Sequence, residues 1–394
     1  MTPVVLYLSM IASSPSHVAK FDGIRRYCAL RGWEAVPVPR DEISRKALPG
    51  ILRRHGPVGC VVDGIARHAD LPSRLFRGIP VSYIGYPSNM AGDKPNFIFD
   101  PAAIAAAAFR ELSASRPPCY AVVGHPNPLL WSRRRVGAFR TSAATAGATC
   151  FAFPIQPHSK PEEGDLFEAR LAPWLAALPD RCAVFAVSDE TAVRIVRAAR
   201  AAKRPIPRSL TLLSVDNFPD LCEHADPPIS SIQLDFELQG FAAARAIGDD
   251  LSRPTAKRSP GQGDRHTLFG PLLTVHRKST SGHGRHEAWI LKAVAVIRRE
   301  ACEGLTAASL IQRFPVSKSL FNLRFREAVG HSVHDEILHV RLEAACSLLS
   351  QTKTAVGAIP GLCGFQCDST LDRLFRRRFK MGMREWRKRN ARPF

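Results

Sequence analysis

The chain predicts an α/β domain followed by an all-α domain that holds two helix-turn-helix units. Three observations carry this. From residue 3 to about residue 280, short apolar runs alternate with amphipathic helical stretches; strands joined through helices of that length need parallel crossovers, hence a doubly wound sheet. Two helix-turn-helix patterns follow in tandem, LTAASLIQRFPVSKSLFNLRFREAVG (305–330) and TAVGAIPGLCGFQCDSTLDRLFRRRF (354–379). The 394 residues carry a formal net charge of +20, which favours a polyanionic partner because each phosphate neutralised by Lys or Arg releases condensed counterions.

Taken in order, VVLYLSM (4–10) lies in an apolar opening with no basic flank and no cleavage site, so it reads as a buried strand rather than a signal peptide. VAKFDGIRRYCALRG (18–32) is the first helix. GCVVDG (59–64) and IPVSYIG (79–85) are strands, AAIAAAAFRELSA (102–114) a helix, and YAVVG (120–124) a strand leading to the helical RRRVGAFRTSAATAG (133–147). CAVFAVS (182–188), ETAVRIVRAARAA (190–202) and LTLLSVD (210–216) repeat the alternation. The stretch 252–266 is rich in Pro, Gly and charge and reads as an exposed loop inside the domain, because the apolar LFGPLLTV (268–275) comes after it. The domain is therefore expected over 1–280, a linker over 281–286, and the helical domain over 287–394, opening with an amphipathic helix that carries Ile290, Val294 and Ile297 on one face.

Ten cysteines stand singly, without CxxC pairs, and read as reduced thiols of a cytoplasmic protein. Cys363 and Cys367 are spaced to share a metal on a helix, but no second ligand pair matches them, so no metal and no cofactor is expected. No stretch approaches the roughly 20 apolar residues of a membrane helix. In 285–394 about 20 Lys and Arg stand against about 10 Asp and Glu, with a basic run from Arg376 to Arg389 beside the second unit. Over 1–284 the basic residues are scattered, which suits a solvated surface equally well.

In the first unit, Leu305, Leu310 and Ile311 form the apolar side of a positioning helix, and a turn at 314–316 leads to Ser317 as N-cap. Phe321 and Phe325, four apart, pack inward. Lys318, Ser319, Asn322 and Arg326 then share the outer face. Asn322 and Ser319 are expected to read bases, while Lys318, Arg324 and Arg326 hold phosphates; an ordinary solvated helix face is the alternative. The intervening helix, 334–350, spans roughly 25 Å and would space the two readers. In the second unit, Leu371, Leu374 and Phe375 face inward; Ser369, Thr370, Arg373 and Arg376 are the candidate contacts, with Asp368 and Asp372 capping the helix or accepting from cytosine.

This segment resembles the AraC-type DNA-binding domain. The resemblance rests on the first unit, Arg341-Leu342-x-x-Ala345-x-x-Leu348-Leu349 with Thr352, then Ile359, Gly364-Phe365, Phe375 and Glu385-Trp386-Arg387, and covers 287–389. Pro360, Lys380 and Met383 depart from the family's usual Ala, Gly and Pro; a proline inside the positioning helix would kink it.

The N-terminal region resembles the LacI-type, periplasmic-binding-protein-like effector domain. The features are Phe21-Asp22-Gly23-Ile24, Asp100, Trp131-Ser132 with Arg135 and Phe139, Val187-Ser188-Asp189-Glu190, Pro205-Ile206-Pro207, Val215-Asp216-Asn217 and Arg277-Lys278-Ser279-Thr280. The combination is similar to that of xylose-responsive transcriptional activators. It implies two lobes with a small sugar effector between them, a double-stranded DNA operator, a homodimer, and RNA polymerase as a further partner. Ligands of such sheets bind beyond the carboxyl ends of the strands, where Asp63, Asp189 and Asp216 follow apolar runs, Asn217 adjoins Asp216, and Trp131 follows the 120–124 strand. Carboxylates accept from vicinal hydroxyls and an indole covers a sugar face; each Asp is also a candidate N-cap or loop brace, and Trp131 a packed hinge aromatic. The loop residues Ser13, Ser14, Ser16 and His17 are pocket candidates or caps.

Two other readings remain. An amidotransferase-like hydrolase fused to a DNA-binding tail would need a nucleophilic Cys on a glycine-flanked elbow, which Cys60 and Cys119 lack, and no GxSxG, HExxH or Walker sequence occurs. A chromosome-coating protein would act through charge alone.

Overall fold

The computed structural model describes residues 2–9, 14–64, 71–76, 78–127, 129–154, 164–252, 266–280, 288–329, 331–351, 354–365, 367–379 and 381–390. The expected linker 281–286, most of the 252–266 loop, Ser13, Thr352 and Lys380 lie outside the described residues. The chain forms two compact units, Met1–Gly284 and Arg285–Phe394.

The first unit holds two six-stranded sheets. Its strands are β1 Val4–Ser9, β2 Glu34–Val38, β3 Gly59–Asp63, β4 Val81–Ile84, β5 Asn96–Phe99, β6 Tyr120–Val123, β7 Cys150–Ala152, β8 Cys182–Ala186, β9 Leu210–Asp216, β10 Ser230–Gln233, β11 His266–Phe269 and β12 Leu273–Val275. One sheet runs β11-β5-β4-β3-β1-β2 and the other β12-β10-β9-β8-β6-β7. All recorded pairings are parallel except β12 against β10. Both faces of such sheets are covered by helices, so their strands are apolar throughout rather than alternating; every residue of β3, β8 and β9 is buried.

The expected single apolar segment 268–275 is divided between the sheets, its first half pairing with β5 and its second with β10. Gly270 and Pro271 make that crossing. Two more crossings, among the described residues, follow β5 and β10. After β5, helix Pro101–Ser113 buries Ile104 and Ala108 against Tyr120, Val122 and Phe185 of the second sheet. Asp100 caps it by accepting from the N–H groups of Ala102 and Ala103. After β10, helix Phe236–Leu251 returns to bury Ala243, Ala244 and Ile247 against Val5 and Val61. It meets helix Pro15–Leu30 with backbones nearly touching: a Cβ on Gly23 would overlap the carbonyl oxygen of Glu237, and one on Gly240 that of Lys20.

The second unit is helical. Helix Ala288–Glu300 buries Ile290, Val294 and Ile297. Ala307–Ile311 starts at Thr306, whose side chain exchanges capping bonds with Ser309. Lys318–Val329 follows, then Val333–Gln351, Ile359–Leu362, Asp368–Phe379 and Met383–Asn390. Pro360 does not kink a long helix. The residues before it form a 3-10 turn, Val356–Ala358, and Pro360 occupies the first turn of the four-residue helix that follows, where its missing N–H has no partner to lose.

Candidate functional site

In each sheet the strand order reverses at one point, β1 against β3 in the first and β6 against β8 in the second, and the carboxyl ends of those strands are where α/β sheets take ligands. The first sheet places a buried ion pair there. Asp63 ends β3, is 2% exposed, and accepts from Lys20 Nζ at 2.9 and 3.0 Å and from the Tyr7 hydroxyl at 2.5 Å. Lys20 reaches it from helix Pro15–Leu30. Burial and the Asp63 charge push the Tyr7 hydroxyl well above its usual range, so it remains a donor. His17, stacked on Tyr7, meets Ser9 Oγ through Nδ1 at 2.6 Å, and burial lowers its pKa. Ser14 bonds Ser16 at 2.9 Å and makes no side-chain cap to the helix.

The second sheet supplies another such pair. Asp216, the last residue of β9, is 9% exposed and accepts from Arg135 Nη1 at 3.2 Å. The same nitrogen donates to the Val187 carbonyl at 2.6 Å. Trp131, one turn before Arg135 on helix Leu130–Thr145, carries the guanidinium 4.9 Å over its ring and meets His125 edge-on. Burial drives the Asp216 carboxyl up and Arg135 pulls it down, leaving it at about 7. His125 in turn holds Glu190 below the usual carboxylate range by hydrogen bonding.

Backbone strain coincides with this pair. Asp216 and Asn217 have φ of 104° and 55°, a region that costs a non-glycine residue about 1–3 kcal/mol and persists only when its surroundings enforce it. The enforcing contacts are visible. Asp189, 0% exposed, accepts from Ser214 Oγ, Ser231 Oγ and the N–H of Phe218 at 2.6–2.7 Å. Ser231 Oγ accepts from the Asn217 N–H; the Asn217 side chain donates to Gln233 and accepts from Arg277. Asp189 and Asn217, both candidate contacts, thus have their polar atoms committed within the second lobe, where they brace Asp216. Phe236, at the crossing after β10, joins the two clusters: it stacks on Phe218, meets Phe99 edge-on, and lies 5.7 Å from Lys20 Nζ.

Sequence reasoning does not single out Lys20, and Arg135 enters it only as a feature of the effector-domain resemblance, without a site role. Arg135 stands in a run of three arginines, of which the structure buries it alone to 6% exposure. Cys60 and Cys119, which a hydrolase would need as thiolates, are buried, and burial lifts the Cys60 thiol to about 12.

In the helical unit, Ser317 Oγ accepts from the Leu320 N–H at 3.3 Å, as an N-cap does. Phe321 and Phe325 are 0% exposed, with Trp289 and Phe314 against Phe321. Ser317, Lys318, Ser319, Asn322, Arg324 and Arg326 are exposed. Leu323, 56% exposed, stands four residues on from Ser319 on the same face, an apolar side chain suited to a thymine methyl that charge-based reading passed over. On helix Asp368–Phe379, Leu371 and Phe375 are buried, while Ser369, Arg373 and Arg376 are exposed and Thr370 is half-buried. Asp372 accepts from Arg376 Nε at 2.8 Å, which accounts for an acidic residue on a basic helix. Ser369 and Thr370 both meet the Cys367 sulfur; Cys367 is exposed and Cys363 buried in the core.

The two helix-turn-helix units are locked together through the central helix. Arg341 donates to the carbonyl oxygens of Ala301 and Leu305 at 2.7 and 2.9 Å and carries its guanidinium 5.6 Å over Phe365. Gly364, with φ of 77°, packs where a Cβ would come within 2.8 Å of the Cys302 carbonyl oxygen.

Residues 107–280 match the family model of the periplasmic binding protein-like domain, and residues 310–389 that of a helix-turn-helix domain. The chain joins a periplasmic-binding-protein-like domain to an AraC-type helix-turn-helix domain. The chain is homologous to the Xylose operon regulatory protein of Escherichia coli strain K12, being 25% identical over 318 residues, 79% of each chain. Its fold is that of a solved xylose-binding transcription activator xylR, with TM-score 0.55 and 20% identity over 100% of this chain and 99% of that one. A transcriptional regulator CelR in complex with cellobiose shares the first unit's fold, with TM-score 0.57 and 21% identity over 70% of this chain and 84% of the other. It is a DNA-binding transcriptional regulator. No described helix is long and apolar enough to cross a membrane.

Proposed function

We propose that the regulator binds a neutral monosaccharide in the crevice between its two sheets and that binding changes how two protomers present their helical units to spaced operator half-sites. The observation that carries this is the pairing of carboxylate with cation at both strand-end clusters, Asp63 with Lys20 and Asp216 with Arg135, joined through Phe236. Each pair sets a carboxyl group against a cation and offers acceptors beside donors, the chemistry of a polyhydroxylated and uncharged ligand. Asp63, Asp216 and Trp131 contact the sugar, while Asp189 and Asn217 hold Asp216 in its strained geometry. The names of the relatives make a pentose such as xylose the first candidate.

The operator contacts are assigned as Asn322 and Ser319 to bases, and Ser317, Lys318, Arg324, Arg326, Ser369, Thr370, Arg373 and Arg376 to backbone or base edges. The regulator acts as a homodimer, does its work in the cytoplasm without a catalytic step, and passes the signal to RNA polymerase. Sugar closure is a population shift, so the effector must bind one domain arrangement more tightly than the other. Calorimetry over a panel of pentoses and hexoses, followed by operator footprinting with and without the sugar that binds, tests the reading. A saturable sugar that alters protection supports it; absence of binding across the panel overturns the sensor. Protection of a defined operator at about 200 mM salt also separates the regulator from a charge-driven coating protein, whose binding weakens steeply there.

A further inference from the structure

We propose that His331, Glu336 and His339 form a binding site for a divalent transition-metal ion of the zinc class. The three residues each offer one ligating atom, and these atoms lie within 4.8 Å of one another. They sit at the turn where the first recognition helix, Lys318–Val329, hands over to the central helix, Val333–Gln351. Glu336 and His339 are three apart on that helix and so share a face. His331 comes from the preceding turn, held in place by Ser332, whose side chain accepts from the Asp335 N–H at 3.1 Å and whose carbonyl accepts from the Glu336 N–H at 3.0 Å.

The donor set selects the ion. Two imidazoles and one carboxylate suit zinc, cobalt or nickel rather than the all-oxygen ions magnesium and calcium. Bond lengths of about 2.0–2.1 Å to such an ion place tetrahedral ligand atoms roughly 3.4 Å apart. His331 Nε2 and Glu336 Oε2 are 2.7 Å apart, and one ring nitrogen of His339 offers the third atom within 4.8 Å, so side-chain rotations reach that geometry. Glu336 is 4% exposed, which fixes its carboxylate and requires a cation against it. Arg298 serves one oxygen, with Nη2 3.5 Å from Oε1, and leaves Oε2 for His331. One turn beyond His339, Glu343 lies outside the cluster, with Oε1 3.3 Å from His339 Nε2 and Oε2 3.4 Å from Arg298. An ion bound here takes the place of the His331–Glu336 hydrogen bond, and it pins the end of the DNA-reading helix to the spacer between the two readers.

The full chain, dialysed against buffered zinc at pH 7.5 and analysed for bound metal, tests the site. His339 is half-exposed, so His339→Ala is a surface change that leaves the fold intact, and His331→Gln removes a second ligand. Each variant is expected to bind one ion per chain fewer than wild type and to lose the rise in thermal midpoint that zinc gives wild type. His334→Ala, on the same helix but outside the cluster, should bind as wild type does. Unchanged stoichiometry in both ligand variants, or an equal loss in His334→Ala, overturns the proposal and leaves a His331–Glu336–Arg298 ion network alone.

Discussion

Arg135 Nη1 stands 3.2 Å from Asp216 Oδ1 and at the same time caps the Val187 carbonyl, so one buried guanidinium ties the carboxyl ends of β8 and β9 together. The ion pair holds Asp216 at the carboxyl end of β9, yet burial dominates and raises the carboxyl to about 7. An acceptor with that pKa is only part-ionised at neutral pH.

Asp216→Asn is expected to weaken sugar binding about tenfold or more, since hydrogen bonds to a charged partner are worth ~1.5–3 kcal/mol. Wild-type affinity should rise from pH 6 to pH 8 as the carboxylate forms, and the variant should show a smaller rise. Stability moves the opposite way. The raised folded-state pKa means that the proton on Asp216 stabilises the fold below the unfolded value of roughly 3.9, a contribution lost as pH climbs through about 7. The Asn variant, which cannot ionise, should therefore gain stability relative to wild type over that window. Urea unfolding at several pH values reads this directly, and a constant difference between the two proteins would refute it.

Gly240→Ala tests the approach of the two helices beneath the crevice. Its Cβ would overlap the carbonyl oxygen of Lys20, the residue whose ammonium pairs with Asp63. Overpacking of this kind costs ~1–3 kcal/mol and occasionally more. The variant should unfold at lower urea and bind sugar less tightly, because relieving the overlap displaces Lys20. Gly50→Ala, where a Cβ meets nothing within 4 Å, should leave both unchanged or raise stability. Equal behaviour of the two variants would show that the helix contact does not position the site.

The alternation of apolar runs and helices revealed β1, β3, β4, β6, β8 and β9 because central parallel strands are apolar on both faces. The remaining strands carry weaker signals. In β2 the segment EAVPV is half-exposed at a sheet edge and contains Pro37; β7 is three residues long. In β10, Ser230 and Ser231 are fully buried by hydrogen bonds to Ser279 and Asp189, so a core strand looks polar. Of the candidate site, the carboxylates at strand ends, Asp63 and Asp216, were legible as positions. Lys20 was not, because a basic residue on a helix reads as solvent-facing, and Arg135 was named only as a feature of the effector-domain resemblance; the carboxylates they pair with lie 43 and 81 residues away.

Asn322→Ala and Arg326→Ala should separate base reading from phosphate clamping. Both residues are exposed on the first recognition helix, but a bidentate Asn–adenine contact discriminates among bases by ~1–3 kcal/mol while a phosphate contact does not. Asn322→Ala should lose operator preference with little change in binding to random duplex. Arg326→Ala should weaken both alike and reduce the salt slope by about one. Leu323→Ala should relax preference as Asn322→Ala does. Competition titrations against scrambled duplex check all three, and uniform losses for every variant would remove the base-reading assignment.

Arg341→Met should uncouple the two readers. The Arg341 guanidinium satisfies two carbonyl oxygens at the start of the first unit and packs on Phe365 of the second, so its removal orphans those oxygens at ~1–3 kcal/mol each and frees the second unit from the first. Gly364→Ala strains the same junction from the other side, through its φ of 77° and the Cys302 carbonyl. When two linked sites bind one duplex, rigidity between them sets the effective concentration of the second contact. Both variants are therefore expected to lose more affinity on a duplex carrying both contact sites than on one carrying the first alone. Equal losses on the two duplexes would mean that the units bind DNA independently, and that the contacts of Arg341 serve stability only.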